Sequence, residues 1–425
     1  MKAIVSPSRI SGELTAPASK SAMQRACAAA LIKKGKTVLS NPGNSGDDIA
    51  ALDIIHRLGA DVKNEEKYIE IVSHGINPQA ATIDCGESGL SVRMFSSIAA
   101  VSSKELTISG TGSLLKRPID FFDKVLPQLN VQCSTNNGLL PLQIKGPLQP
   151  KSIIVDGSLS SQFLTGLLFA YAAADATDVS IIVNDLNSKP YIDLTLDILN
   201  TFGLKVPINN SYREFYFENH SKSVFDNKEI QYTVEGDWSG GAFLLVAGAI
   251  SGNILIKALD VFSSQADKAV IEPLLLSEAE INVNEQEITV KEQKLKAFEF
   301  DATDCPDLFP PLTALATYCK GKSVIKGVSR LAHKESNRGL TLQEEFGKLG
   351  VNIELDGDQM IVEGVNAVKP CTVNSHHDHR IAMACAVASL RAEGEVIIDG
   401  AEAVNKSYPG FWKDLQQLNV QVTLI

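Results

Sequence analysis

The sequence predicts an α/β protein made of two similar domains, each of three βαβαββ units. Three observations carry this. A segment comprising a β-branched strand, a short polar turn and an Ala/Leu-rich helix recurs six times, with anchors Ser21, Ser88, Ser160, Ser239, Asp307 and Asp378 spaced by about 70 residues, longer than common solenoid repeats. Between anchors lies a second helix that stops at a glycine, as in Leu58-Gly59 and Leu349-Gly350. Short alternating strands then close the unit, as in Tyr68–Val72 and Glu214–Phe217.

Taken in order, the strand-turn-helix copies read Thr15-APASKSAMQRACAAALI, Ile83-DCGESGLSVRMFSSIAAV, Ile154-VDGSLSSQFLTGLLFAYAA, Thr233-VEGDWSGGAFLLVAGAI, Phe300-DATDCPDLFPPLTALATYC and Thr372-VNSHHDHRIAMACAVASL. Second helices are expected at Ile49–Leu58, Ile192–Phe202 and Leu340–Leu349. Asn136-Asn-Gly and Asp356-Gly-Asp supply hairpin turns. Polar stretches at Ala16–Lys20 and Asn219–Ile230 are the expected domain crossings. They place one domain at 16–228 and the other at 1–15 with 229–425, the first strand completing the last three units.

With 425 residues, 44% of them hydrophobic, the chain can bury a large core, and its length fits two or three domains. Its longest apolar runs, Gly240–Ile250 and Phe163–Ala174, fall short of the roughly 18 residues of a membrane span. The opening Met1-Lys-Ala-Ile-Val-Ser-Pro alternates like a strand and carries no export signal, so a cytoplasmic location is expected. Seven scattered cysteines show neither disulfide-framework nor thiolate-metal spacing. A net charge of −11 argues against a nucleic-acid partner. The chain has no Walker loop, no GxGxxG and no HExxH; Leu115 stands where Gly110-Thr-Gly112 would need its third glycine, so no nucleotide cofactor is expected. His376, His377 and His379 have no second ligand group of matching spacing, and the expectation is no metal.

Ser, Asp and Gly at the recurring turns are good helix N-caps, and helix starts gathered on one face would offer free N–H groups and positive dipole ends to anions. A dipole contributes only about 0.3–1 kcal/mol in exposed settings, so tight phosphate binding also needs cations. Lys20, Arg25, Arg93, Arg117, Lys334, Arg338, Arg380 and Lys406 stand at or near the turns. Any one alone would be an ordinary solvated charge; their recurrence at one position of a repeated unit points to a site. Ser160-Ser161-Gln162 can be a plain cap or a neutral phosphate cradle. Asp307 and Glu335 are carboxylates set among these cations, as caps or ion pairs or as proton-transfer groups.

The stretches Lys20-Ser-Ala-Met-Gln-Arg25, Arg117-Pro-Ile, Asp156-GSLSSQF, Ser188-Lys-Pro-Tyr-Ile, Val234-Glu-Gly-Asp, Lys334-Glu-Ser-Asn-Arg338, Asp378-His-Arg380 and Lys406-Ser-Tyr-Pro occur in one order along essentially the whole chain. In these the chain resembles the 5-enolpyruvylshikimate-3-phosphate synthases of the enolpyruvyl transferase family. The resemblance implies an inside-out α/β barrel type of fold, with two domains closing over an active site in the inter-domain cleft. It implies transfer of the enolpyruvyl group of phosphoenolpyruvate to the 5-hydroxyl of shikimate 3-phosphate, with release of phosphate, by a cytoplasmic monomer of the shikimate pathway without cofactor or metal. Shikimate 3-phosphate would contact Lys20, Ser21, Arg25, Ser160, Ser161, Gln162, Ser188, Asp307 and Lys334, with Tyr191 nearby. Phosphoenolpyruvate would contact Lys20, Gly89, Arg117, Gln162, Arg338, Arg380 and Lys406; the catalytic residues would be Asp307, Glu335 and Lys20.

Where the family commonly has Asn-(Ala/Ser)-Gly-Thr, this chain has Glu87-Ser-Gly-Leu90. A carboxylate beside phosphoenolpyruvate would cost roughly 4 kcal/mol at about 4 Å and an effective dielectric of about 20, so Glu87 is expected to face a cation. Asn337 replaces the family's usual Asp, and Arg330 stands where some members have Asn. The alternatives are the sister transferase acting on UDP-N-acetylglucosamine, whose cysteine loop is absent from Ser109-GTGSLLKRP, and an inactive anion-binding paralogue.

Overall fold

The computed structural model describes residues 1–65, 67–219 and 229–425, which form two compact units. One is the continuous segment Ala18–Val234; the other joins Met1–Pro17 to Glu235–Ile425. The expected boundary at 228/229 and most of the stretch Asn219–Ile230 lie outside the described residues. The strand that follows, Ile230–Thr233, pairs in parallel with Gly35–Ser40, so this unit runs on to Val234 rather than ending at 228.

The described residues form six four-stranded sheets, each with one parallel pair followed by two antiparallel pairings. Ile153–Asp156, for example, pairs in parallel with Val179–Asn184, which runs antiparallel to Glu214–Phe217, itself antiparallel to Ile208–Asn210. None of these sheets closes on itself. The parallel pair flanks a helix, Ser161–Ala173 in this copy, and a second helix, Pro190–Thr201, precedes the closing hairpin. This is the βαβαββ order.

Two of the parallel pairs exchange strands. Ile10–Thr15 leads into helix Lys20–Ile32 yet pairs with Gly252–Lys257. Ile230–Thr233 leads into helix Trp238–Ser251 yet pairs with Gly35–Ser40. The strand Lys2–Val5 lies between Val396–Asp399 and Val422–Leu424, antiparallel to both.

The helix inside each parallel pair is the core. Trp238–Ser251 is buried at every residue, and Gly89–Ala99 likewise, which explains why these segments are apolar or small on all sides rather than along one stripe. The strands outside alternate buried and exposed, as in Ile153–Asp156 and Leu139–Lys145. Gly166 sits where a Cβ would fall 2.6 Å from the Arg93 carbonyl oxygen, so glycine allows Ser161–Ala173 to approach Gly89–Ala99. Among the described residues, no helix is long and apolar enough to cross a membrane.

Candidate functional site

In the Ala18–Val234 unit, three buried helices begin at serine caps. Ser19 Oγ accepts from the Ala22 amide at 3.3 Å, Ser88 Oγ from Ser91 at 3.2 Å and Ser160 Oγ from Gln162 at 3.3 Å. Side chains tie the helices together near these starts. Gln24 Oε1 accepts from the hydroxyls of Ser88 and Ser91 at 3.1 and 3.0 Å. Arg93 Nη1 donates to Gln162 Oε1 at 2.9 Å while its guanidinium lies over the Phe163 ring.

Arg25 is 1% exposed, and its guanidinium donates to the Thr195 hydroxyl at 3.0 Å, the Ser21 carbonyl at 2.9 Å, the Tyr191 carbonyl at 3.3 Å and the Thr165 hydroxyl at 3.5 Å. Among the described residues every hydrogen-bond partner is a neutral oxygen. Burial pulls its acid constant down to about 10, which still leaves it fully charged at neutral pH. Ser188 adopts φ 56°, a left-handed conformation that a non-glycine residue seldom takes, just before helix Pro190–Thr201.

A Cβ on Gly89 would fall 2.6 Å from Arg117 Nη1 and 3.4 Å from Arg93 Nη1, so the missing side chain lets two guanidinium groups reach one helix start. Glu87 accepts from the Ser113 amide at 3.1 Å and the Ser113 hydroxyl at 3.3 Å, and that hydroxyl accepts from Arg117 Nη2 at 3.3 Å. The replaced position thus communicates with Arg117 through a serine. Lys20 Nζ sits 2.9 Å from Asp47. Next to it, Asp48 closes a capping box with Ser45, and burial raises its acid constant to about 6 against the lowering effect of the Ser45 bonds.

The other unit gathers the remaining expected residues. Asp307 lies just ahead of helix Phe309–Thr317, and its carboxylate accepts from Lys334 Nζ at 3.0 Å, Arg338 Nη1 at 2.8 Å and Arg380 Nη2 at 3.0 Å. Burial by itself would raise this acid, but Arg380, Lys334 and Arg338 together hold it well below the usual carboxylate range. Burial lowers Lys334, with Asp307 opposing. Glu335 accepts from Arg338 Nη2 at 2.5 Å. Asn337, in place of the family Asp, caps helix Arg338–Lys348 by accepting from the Leu340 amide.

Asp378 caps helix His379–Ala388, accepting from the Arg380 amide at 3.0 Å, and also accepts from Ser336 Oγ at 3.1 Å. Lys406 Nζ donates to the His377 carbonyl at 2.7 Å. His376 Nε2 lies 2.6 Å from the buried Glu345, which also accepts from the Asn374 amide at 2.9 Å. Glu344, Glu345 and His376 bring three ligand-type atoms within 4.8 Å of one another, but the Lys348 ammonium already stands 2.7 Å from Glu345 and 3.1 Å from Glu344.

Each unit therefore collects its share of the expected residues: Lys20, Ser21, Arg25, Gly89, Arg117, Ser160, Ser161, Gln162 and Ser188 in one, Asp307, Lys334, Glu335, Arg338, Arg380 and Lys406 in the other. Sequence reasoning missed Asp47, Asp48, Asp267 and Glu345, the carboxylates that hold the cations and loops. Ser45-Gly-Asp-Asp was readable as a capping box and Glu345 with Lys348 as a pair on one helix face; Asp267 stands among polar neighbours that carry no local signal.

The family model for EPSP synthase (3-phosphoshikimate 1-carboxyvinyltransferase) matches residues 4–415. A 3-phosphoshikimate 1-carboxyvinyltransferase of Clostridium novyi is 36% identical over 422 residues, covering 97% of this chain and 96% of the relative. One from Clostridium perfringens is 38% identical over 420 residues, covering 98% of each. Among solved structures, EPSP synthase from Acinetobacter baumannii superposes with a TM-score of 0.82 at 25% identity over 100% of both chains. The enolpyruvyl transferase NikO from Streptomyces tendae shares the fold, with a TM-score of 0.76 at 15% identity over 99% of this chain and 98% of its own. The serine-capped helix starts, the buried Arg25 and the cations around Asp307 thus stand in a chain that belongs to the EPSP synthase family.

Proposed function

We propose that the chain transfers the enolpyruvyl group of phosphoenolpyruvate to the 5-hydroxyl of shikimate 3-phosphate and releases phosphate. Family membership supports the reaction. The observation that carries the reading to individual residues is Arg25, a charged group buried among neutral oxygens beside a helix start. A buried cation without a counter-charge is costly, and an anionic ligand relieves that cost. In this reading Arg25, Ser21, Ser160, Ser161, Gln162 and Ser188 serve shikimate 3-phosphate together with Lys20, Lys334 and Asp307. Gly89, Arg117, Arg338, Arg380 and Lys406 serve phosphoenolpyruvate together with Lys20 and Gln162.

The chemistry is addition followed by elimination. The acceptor hydroxyl oxygen bonds to C2 of the donor as its proton passes to Asp307, and C3 gains a proton from Glu335. The tetrahedral ketal phosphate then returns a C3 proton to Glu335, the C2–O bond to phosphate breaks, and the proton on Asp307 leaves with the phosphate. Ringed by three cations, Asp307 is a weak base before ligands arrive. As Lys334, Arg338 and Arg380 turn to the ligands' charges, its proton affinity rises, so base strength appears only in the loaded site. Lys20 supports charge at the bridging oxygen.

The enzyme works as a cytoplasmic monomer on small-molecule substrates. Phosphate release measured with phosphoenolpyruvate and either shikimate 3-phosphate or UDP-N-acetylglucosamine, with and without EDTA, tests the reading. Turnover is expected only with shikimate 3-phosphate and unaffected by the chelator. Turnover with the sugar nucleotide, or none with either, would reject it.

A further inference from the structure

We propose that Asp267 is a positioning residue for Arg380: it competes with the enolpyruvyl donor for that guanidinium and must carry a proton for Arg380 to serve the donor. The inference rests on the reading of Arg380 as a donor-binding residue.

Asp267 lies in the short turn Ala266–Val270 and is fully buried. Its Oδ2 accepts a hydrogen bond from Ser239 Oγ at the start of helix Trp238–Ser251 and stands 3.9 Å from Arg380 Nη1. Its Oδ1 is buried with no hydrogen-bond partner among the described residues. Arg380 is also engaged by Asp307, through Nη2 to the carboxylate at 3.0 Å and through the same Nη1 to the main-chain carbonyl at 3.4 Å. One guanidinium thus lies between two carboxyl groups. Asp307 also holds Lys334 and Arg338, whereas the ion pair of Asp267 is with Arg380, so an anion that takes Arg380 leaves Asp267 as the poorly compensated carboxylate, with one buried oxygen already unserved.

The charged and titratable groups that face Asp267 are Arg380, Asp307, Asp237 and the buried Cys305. Burial and the negative charge of Asp307 push the Asp267 acid upward, and Arg380 and the Ser239 bond draw it down without cancelling the rise. Binding an anion at Arg380 screens the attraction that favours ionised Asp267, so donor binding takes up a proton there. As pH rises through the ionisation of Asp267, the donor KM should climb, with a limiting slope of about tenfold per pH unit for one linked proton.

The test is the donor KM of the intact enzyme across the neutral and mildly alkaline range, by phosphate release with saturating shikimate 3-phosphate, for wild type, Asp267→Asn and Ser239→Ala. Asp267→Asn is expected to lower the slope of log KM against pH by up to about one. Ser239→Ala removes a bond that favours the ionised form, so the rise should move to higher pH. Isothermal calorimetry in buffers of different ionisation enthalpy should show less proton uptake on donor binding for Asp267→Asn. Coincident wild-type and Asp267→Asn slopes, or a Ser239→Ala rise that stays in place or moves to lower pH, would overturn the proposal. Should Asp267→Asn not fold, Ser239→Ala alone decides. A wild type that turns over phosphoenolpyruvate while these shifts fail removes only the role of Asp267; a wild type without turnover removes the donor-site reading beneath it.

Discussion

Arg338 grips Asp378 with two hydrogen bonds, Nε to Oδ2 at 2.8 Å and Nη2 to Oδ1 at 3.1 Å, and the two side chains are 1% and 0% exposed. The pair joins the first turn of helix Arg338–Lys348 to the cap of helix His379–Ala388, so two expected donor-binding arginines are held by one aspartate. Breaking a buried pair from one side leaves a charge stranded. Asp378→Ala should therefore cost about 3–5 kcal/mol, read from urea unfolding. A loss under about 1 kcal/mol would mean that Glu335 and Asp307 satisfy Arg338 without it.

Asp307→Ala removes the proposed base together with the shared partner of Lys334, Arg338 and Arg380. Turnover should fall by at least about 10² in kcat, the low end of general-base contributions, while the protein still binds phosphoenolpyruvate in the presence of acceptor. Near-normal kcat with weakened acceptor binding would reduce Asp307 to positioning and move the search for the base to Lys334 or Glu335.

Arg117 and Gly89 should fail alike. Arg117→Ala deletes a charge-assisted contact and should raise the donor KM by an amount worth roughly 1.5–3 kcal/mol, with a smaller effect on kcat. Gly89→Ala pushes the Arg117 guanidinium aside rather than removing it, so it should raise the same KM by less. An unchanged donor KM in both variants would separate Arg117 from phosphoenolpyruvate.

Asp48 couples stability to acidity. Its acid constant is raised by burial to about 6 in the folded chain, so the native state holds a proton that the unfolded chain releases near about 4. Its stabilising contribution is complete below that lower value and is lost as pH rises through about 6. Asp48→Asn should flatten this part of the stability curve, measured by urea unfolding between about pH 4 and 6.5. An identical slope in the variant would show that Asp48 is ionised throughout.

Much of the molecule was legible because one physical pattern is written six times. Ser88, Ser160 and Asp378, chosen as anchors from the sequence, are helix caps in the structure, whereas Ser21 and Ser239 fall inside helices capped by Ser19 and Asp237. Pro17 and Trp238 blur those two starts, where the chain passes between units. The cations were visible because Lys and Arg seldom recur at helix starts by chance. The carboxylate partners were less so: Asp267 reaches Arg380 and Glu345 reaches His376 from elements distant in sequence, and only the Glu345–Lys348 pair, three residues apart on one helix, has a local spacing that records it. Glu87 was expected to face a cation; it accepts from Ser113, whose hydroxyl in turn accepts from Arg117, a link that the local sequence does not spell out.

The exchanged strands impose an order on biosynthesis. Among the described residues, the strands of segment Ala18–Val234 pair only with one another, so it can fold while the remainder is still being made. Strand Ile10–Thr15 leaves the ribosome earlier, yet its partner Gly252–Lys257 is translated only after that whole segment, and Lys2–Val5 waits longer still for Val396–Asp399 and Val422–Leu424. Between the completion of Val234 and the synthesis of Gly252–Lys257 the nascent chain thus carries two unpaired strands with a finished unit, and Lys2–Val5 stays unpaired until Val396–Asp399 is made, open edges of the kind that chaperones shield.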